Sequence, residues 1–314
     1  MKVALDISAV TCGDIDFTPF EELGEVVLFN EPSKEELHAL AADTDAIIVN
    51  KVLIDRDFLA HAPLLRYVGL FATGYNNIDL QACRERGIVV SNVPAYSTNA
   101  VTQHVFALLL SLMGKIPEYA ASVQQGDWIR SRAFCYFPWP TYEISGKTFG
   151  IIGYGSIGRS VARVADAFGS RVIVNTRTKP QDCAYELVSK ETIFRTADIV
   201  SLHCPLTDQT AKLVNADTLA MMKPTAYLVN AARGGLVDEP ALAAALNEGR
   251  IAGAGVDTIS EEPMKASNPL LGARNCIITP HIAWVPHETR DRLVHTALSN
   301  LKAFLAGRPQ NTVS

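Results

Sequence analysis

"TFGIIGYGSIGRSVARVADAFGSRVIVNTRTKP", residues 148–180, is the stretch from which the architecture unfolds. An apolar run, "TFGIIG", enters Gly153-Tyr154-Gly155-Ser156-Ile157-Gly158; a helical stretch follows, and a second apolar run, "RVIVNT", comes at the spacing of a strand–helix–strand unit. The pattern G-x-G-x-x-G is weak alone, but between a strand and a helix it marks a dinucleotide-binding turn. Gly153 permits the tight turn, Gly155 lets a pyrophosphate approach the backbone, and Gly158 lets helix and strand pack closely. Free amides at the helix start, backed by the helix dipole, face the phosphates. About 20 residues past such a turn an acidic residue normally accepts the ribose hydroxyls of NAD. Here Asn175-Thr176-Arg177-Thr178 fills that place, Lys179 follows, and no carboxylate occurs before Asp182. A guanidinium with two hydroxyls suits a 2′-phosphate, which an aspartate would repel. NADP(H) is therefore favoured over NAD(H), with Thr176, Arg177 and Thr178 making the choice.

The same alternation runs outward in both directions. Upstream, "KVALDI", "GEVVLF", "DAIIVN", "RYVGLF" and "GIVVSNV" read as strands, with helical patterns such as "SKEELHALAADT" and "DRDFLAHAP" between them. Downstream, "ADIVSLH", "AYLVNAA", "AGAGVD" and "CIITPHI" continue the series. Nearly unbroken apolar runs, not alternating ones, fit parallel strands covered on both faces. The fold class expected is α/β, with two doubly wound parallel-sheet domains. One long helical pattern, "NAVTQHVFALLLSLMGKIPEYAASVQQG", separates them and is apolar enough to be buried between domains or subunits. The tail "HETRDRLVHTALSNLKAFLAGRP" is an amphipathic helix that can return to the first domain.

Bulk properties narrow the class. With 48% hydrophobic and 19% charged residues the 314-residue chain has an ordinary globular composition, and a net charge of −5 gives no nucleic-acid footprint. The opening "MKVALDISAVTCGDIDF" reads as a strand, not a signal peptide, and the run "VFALLLSLM" is too short to span a bilayer. Six scattered cysteines without a C-x-x-C pair point to reduced thiols in a cytoplasm, with no metal site.

The polar residues that carry chemistry stand at strand ends. "YLVNAARGGLVDE" puts Arg233 just past one strand, "AGAGVDTISEEP" puts Asp257 and Glu262 past the next, and "CIITPHIAW" puts His281 past the last. Ligands bind at the carboxyl ends of parallel strands, so these loops are expected to converge on the cofactor cleft. Arg can fork onto a carboxylate, His can protonate the oxygen of a reduced carbonyl, and a carboxylate can orient that His. Together they suit the reduction of an α-keto acid.

The blocks "GKTFGIIGYGSIGRSVA", "SLHCPLTDQT", "LVNAARGGLVDEPALAAAL", "GAGVDTISEEP" and "ITPHIAW" resemble the D-isomer-specific 2-hydroxyacid dehydrogenases, and the likeness spans essentially the whole chain. The resemblance implies Arg233, Glu262 and His281 as the catalytic set and Asp257 beside the nicotinamide. It implies that Ser156, Ile157, Cys204, Pro205, Thr210 and Ala231 line the cofactor. It also implies a flavodoxin-like substrate domain of residues 1–99 plus 285–314, a Rossmann cofactor domain of residues 100–284, the active site in the cleft, and a homodimer. The substrate end is similar to that of glycerate dehydrogenases (hydroxypyruvate reductases), through "VNKV", "LFATGYNNIDL", "VPAYSTNAVTQHVFALLL" and the Trp of "PHIAW". On that likeness the amides of Ala72, Thr73 and Gly74 bind the substrate carboxylate, while Lys51, Tyr96 and Trp284 meet the rest of a hydroxypyruvate or glyoxylate. The aromatic stretch "FCYFPWPTYE" is expected at a dimer contact. Two alternatives stay open at this point: a phosphoglycerate dehydrogenase, and a nucleotide-sensing, corepressor-like protein on the same fold.

Overall fold

The computed structural model describes residues 1–178, 180 and 182–313, so Lys179 of the cofactor-choice segment lies outside the described residues. The chain divides into two compact units, Met1–Ser97 with Trp284–Ser314, and Thr98–Ala283.

The first unit holds β1 (Lys2–Asp6), β2 (Glu25–Phe29), α1 (Lys34–Ala41), β3 (Ala46–Val49), α2 (Arg56–Ala60), β4 (Tyr67–Leu70), α3 (Leu80–Glu85) and β5 (Val89–Ser91). Its five strands lie parallel in the order β2-β1-β3-β4-β5, which is the flavodoxin-like winding. Residues of β3 and β4 are all buried, as expected for strands covered on both faces. The helices start where the sequence offers caps: Ser33 and Glu36 form a capping box, and Asp55 and Asp79 accept from Phe58 N and Ala82 N. The chain's last helix, α10 (His287–Leu305), packs Leu293, Val294, Ala297 and Leu301 with Val3, Leu5, Ile48 and Tyr67 of this sheet.

The second unit holds α4 (Thr98–Gly114), α5 (Ile116–Gln124), β6 (Thr148–Ile152), α6 (Ser156–Ala167), β7 (Arg171–Asn175), β8 (Glu186–Leu187), α7 (Lys190–Thr196), β9 (Ile199–Leu202), α8 (Ala216–Met221), β10 (Tyr227–Asn230), α9 (Glu239–Asn247), β11 (Gly253–Val256) and β12 (Cys276–Ile278). All seven strands are parallel, in the order β12-β11-β10-β9-β6-β7-β8. The winding reverses between β6 and β9, where an open α/β sheet takes its ligand.

The long helical pattern of the sequence is two helices, bent by 59° where Lys115 takes a left-handed φ of +53°. The first of them, expected between the domains or subunits, belongs to the second unit. Val105, Leu108, Leu109 and Leu112 of α4 share a core with Phe149, Ile151 and Val229 of the sheet, so α4 is one of this unit's covering helices. Among the described residues no single helix is long and apolar enough to cross a membrane. All six cysteines are free thiols.

Candidate active site

The carboxyl ends of the second unit's strands carry most of the residues singled out from the sequence. At the end of β6, Gly153 has a φ of +100°, and a Cβ there would meet Cys204 N at 2.5 Å. It therefore serves both the turn and the close approach of the segment after β9. A Cβ on Gly158 would collide with the Gly153 carbonyl, whereas a Cβ on Gly155 would meet nothing within 4 Å. Helix α6 starts at Gly155 without a side-chain cap, and exposed Ser156 at its first position borders that empty space. Uncapped amides at a helix N-terminus, beside a site kept free of side-chain atoms, fit a dinucleotide pyrophosphate.

At the end of β7, Asn175 donates to Val188 O at 2.8 Å, Thr176 is half-buried, and Arg177 and Thr178 are exposed. Among the described residues Arg177 makes no ion pair. Asp182, the first acid downstream, is bound by Arg159 at 3.0 Å through both oxygens, and that guanidinium also lies 4.7 Å from the Tyr154 ring centre. No free carboxylate therefore waits beside Arg177 in the described part of this loop.

Past β9, burial pushes the His203 imidazole down to about 3, so the ring is neutral, with Nε2 2.9 Å from Ser201 Oγ. Cys204 is half-buried, and burial raises its thiol above the usual value. Thr210 accepts from Thr207 N at 2.8 Å and donates to Pro205 O at 2.7 Å, which fixes the turn that follows Cys204.

Past β10, Ala231 is half-buried and Arg233 exposed. The fully buried Asn230 accepts from Ala232 N at 3.1 Å and donates to Arg233 O at 2.9 Å, so one side chain sets the turn that presents the guanidinium. A Cβ on Gly234 would collide with the Ile259 backbone; only glycine lets the Arg233 loop lie against the loop that bears Glu262. Buried Glu239, on α9, holds that second loop by accepting from Ser260 N at 2.5 Å and Asn268 Nδ2 at 2.8 Å.

Glu262 Oε2 stands 2.8 Å from His281 Nδ1, and Glu262 Oε1 accepts from Ile259 N at 3.3 Å. An ionised carboxylate can only accept, so Nδ1 carries the proton and Nε2 points its chemistry elsewhere. His281 itself has a φ of +55°, a region costly for a non-glycine residue, and its N–H donates to Asp257 O at 2.8 Å.

Asp257, which the resemblance puts beside the nicotinamide, is enclosed among protein partners. Its side chain is 1% exposed. Oδ1 accepts from Thr279 Oγ1 at 2.6 Å and Ile282 N at 2.9 Å, and Oδ2 from Ala283 N at 2.9 Å. Burial by itself raises the carboxyl's pKa; the bonds from His104, Thr279 and the two amides outweigh it and hold the group below the usual range. In this structure the carboxylate clamps the His281 loop through both oxygens. Asn230, Glu239, Thr279 and His104 were not among the sequence candidates; the signal for each is a polar residue inside or beside an apolar run.

The remaining candidates belong to the first unit. Lys51 is exposed past β3. Thr73 donates through Oγ1 to Val93 O at 2.7 Å and its carbonyl accepts from Asn92 Nδ2 at 2.7 Å, which fixes the turn carrying Ala72, Thr73 and Gly74. Among the described residues the amides of 73 and 74 donate to no acceptor, as an anion-binding loop requires. Tyr96 packs edge-on to Trp284 with ring centres 6.3 Å apart, and Arg292 forks onto Tyr96 O at 2.9 and 2.7 Å.

Residues 106–283 match the family model described as the NAD binding domain of D-isomer specific 2-hydroxyacid dehydrogenases. The chain is similar to a hydroxypyruvate reductase of Blautia hydrogenotrophica, 39% identical over 99% of both chains. It is similar also to a glycerate dehydrogenase of Methylorubrum extorquens, 43% identical over 89% of this chain and 88% of the relative. Among solved structures it resembles an NADPH-dependent glyoxylate/hydroxypyruvate reductase of Sinorhizobium meliloti in complex with citrate, with a TM-score of 0.86 and 30% identity over 100% of this chain and 97% of the other.

Proposed function

The chain belongs to the D-isomer specific 2-hydroxyacid dehydrogenase family, and from that premise we propose that it reduces hydroxypyruvate, and glyoxylate less selectively, to D-glycerate and glycolate, with NADPH preferred to NADH. The observation that carries this reading is the 2.8 Å pair of Glu262 Oε2 with His281 Nδ1, on the same sheet edge as the open glycine turn. The bound reduced nicotinamide supplies hydride to a carbonyl carbon.

The residues divide the rest of the work. Exposed Arg233 forks onto the substrate carboxylate and polarises the adjacent carbonyl. His281, its tautomer fixed by Glu262, gives the Nε2 proton of its cationic form to the carbonyl oxygen, and the product leaves as a neutral alcohol. Glu262 stabilises the cationic ring before the transfer, and solvent restores the proton afterwards. Gly155 and the first turn of α6 take the pyrophosphate, and Thr176, Arg177 and Thr178 take the 2′-phosphate. The amides of Ala72, Thr73 and Gly74 bind the carboxylate, with Lys51, Tyr96 and Trp284 setting the size and polarity of the substituent accepted on the keto carbon.

Loss of dinucleotide absorbance with purified protein tests the reading, comparing NADPH with NADH over hydroxypyruvate, glyoxylate, pyruvate and 3-phosphohydroxypyruvate. Hydroxypyruvate with NADPH should give the highest kcat/KM. Consumption of neither dinucleotide with any keto acid overturns the proposal, and a clear preference for the phosphorylated substrate replaces it with the phosphoglycerate reading. Ile129, Phe134 and Phe137 are 87%, 92% and 77% exposed, and we propose that this segment lies at the contact of a homodimer. Light scattering that reports a monomer refutes that part.

A further inference from the structure

Helix α4 is apolar along the face it packs on the sheet, yet His104 interrupts the run "VTQHVFALLL". The imidazole is 18% exposed, and its Nε2 lies 2.9 Å from Thr279 Oγ1 and 3.3 Å from Asp257 Oδ1. Thr279 Oγ1 spends its one proton on Asp257 Oδ1, so toward His104 the hydroxyl can only accept. Nε2 of His104 must then be the protonated nitrogen, and it lends an N–H to both oxygens. From there the chain of contacts is continuous. His104 and Thr279 secure Oδ1 of Asp257, and the two carboxylate oxygens secure the amides of Ile282 and Ala283. The Asp257 carbonyl secures the amide of His281 in its left-handed conformation.

We propose that His104 is a positioning residue for the reaction: its Nε2–H fixes the Asp257 carboxylate and, through it, the loop that aims His281. His104 reaches none of the reacting atoms on this account. Its removal leaves an enclosed carboxylate short of a donor beside a loop whose backbone conformation is already costly, so the loop relaxes. What suffers is the geometry of proton transfer, which is felt in kcat. Dinucleotide binding at Gly155 and Arg177 is untouched. The inference rests on the reading of His281 as the proton donor, but its loop-holding half can be measured without turnover.

The test uses the full-length chain in four variants: His104→Leu, which keeps volume without a donor; His104→Gln, whose amide nitrogen can replace Nε2–H; Thr279→Val; and the His104→Leu/Thr279→Val double. Two readouts are taken, steady-state kinetics and amide hydrogen exchange of the segment 279–284. His104→Leu should lower kcat about tenfold or more, since small misplacements of a catalytic group are costly. Its KM values should stay within about threefold, because uniform binding is unaffected, and exchange across 282–283 should quicken. His104→Gln should recover most of both. The double variant should lose little beyond the worse single, because both residues act through one carboxylate. Wild-type exchange and kcat in His104→Leu overturn the proposal, and so do fully additive losses in the double. If His104→Leu does not fold, His104→Gln and Thr279→Val decide alone: unchanged exchange in Thr279→Val overturns it. If the wild-type protein turns over no keto acid, the functional reading fails, while the exchange data still judge the clamp.

Discussion

Gly155 and Gly158 sit three residues apart in one turn, and the structure gives them opposite sensitivities to the same added methyl. A Cβ on Gly158 falls on the Gly153 carbonyl, with the Gly153 carbonyl carbon at 3.1 Å and Ile151 Cγ2 at 3.4 Å. Neither backbone atom can step aside, so α6 must shift against β6. Overpacking of this kind costs about 1–3 kcal/mol. Replacing a helical glycine by alanine returns about 0.5–1 kcal/mol of that. The net for Gly158→Ala is a loss of up to about 2.5 kcal/mol, centred on about 1, or a fall in Tm of several degrees for a unit of this size. Gly155 has an extended conformation with a φ of −82°, open to any residue, and a Cβ there meets nothing within 4 Å. Gly155→Ala should therefore unfold within about a degree of wild type, since unstrained surface changes are nearly neutral. The methyl instead occupies the space into which the α6 amides face, and dinucleotide affinity should fall about tenfold or more, equivalent to about 1.4 kcal/mol. Thermal denaturation of the ligand-free protein and fluorescence titration with NADPH separate the two effects. A Gly155→Ala protein that binds NADPH like wild type, or that loses as much Tm as Gly158→Ala, refutes this account of the turn.

His281→Ala should lower kcat about 10²–10⁴-fold, the usual worth of a positioned acid–base group, while NADPH titrates as before; undiminished turnover would remove His281 from the mechanism. Arg177→Ala should weaken NADPH about tenfold, since a charge-assisted bond contributes roughly 1.5–3 kcal/mol, and leave NADH almost unaffected. Equal losses for both dinucleotides contradict the 2′-phosphate assignment. Asp257→Asn should cost about 1–3 kcal/mol near neutrality, because one of the clamp's donors then faces an NH₂ group. The folded-state pKa of Asp257 is depressed, so its contribution is full above the unfolded value of about 3.9 and vanishes as pH falls through the lower folded value. The Tm gap between wild type and Asp257→Asn should therefore hold down to about pH 5, narrow from about pH 4 and close only as the pH falls through the lower folded value; a gap constant to the acid limit shows that the carboxylate's charge is not what stabilises the loop.

Legibility in the sequence followed the physics of each element. Strands such as "AIIV" of β3 and "YLVN" of β10 announce themselves because burial on both faces leaves nothing polar to interrupt them. β8 escapes because its two residues, Glu186 and Leu187, are exposed at the sheet edge and carry no such pattern. The break between α4 and α5 was hidden because apolar spacing runs on through it, whereas the bend depends on a single residue, Lys115, turning left-handed. Gly153 and Gly158 are legible because each encodes a backbone approach that no other residue permits. Side-chain direction at a strand end does not transfer. "GVD" and "TPHIA" each suggest a polar residue at the cleft, but neither says that Asp257 turns back to take the amides of 282 and 283. His104 lies 175 residues from its partner Thr279, so no local window holds both.

The pair of Glu262 and His281 is accordingly the product of two separate restraints, each a buried carboxylate reaching out to a loop. Asp257 fixes the His281 loop from the end of β11, and Glu239 fixes the Glu262 loop from the first turn of α9. Neither clamp needs the other, and the His281 and Glu262 side chains remain about one-third exposed, at 30% and 35%. That arrangement puts the cost of burial on carboxylates whose bonds offset it. Solvent access is left to the two groups proposed to exchange protons. On the proposed mechanism, a His281 buried as deeply as Asp257 would be held as well but could not be reprotonated from water between turnovers. On the proposed reaction the enclosed clamp and the accessible pair are complementary demands of one proton-transfer site: the buried acids Asp257 and Glu239 hold loops, and the chemistry is left to residues at the surface.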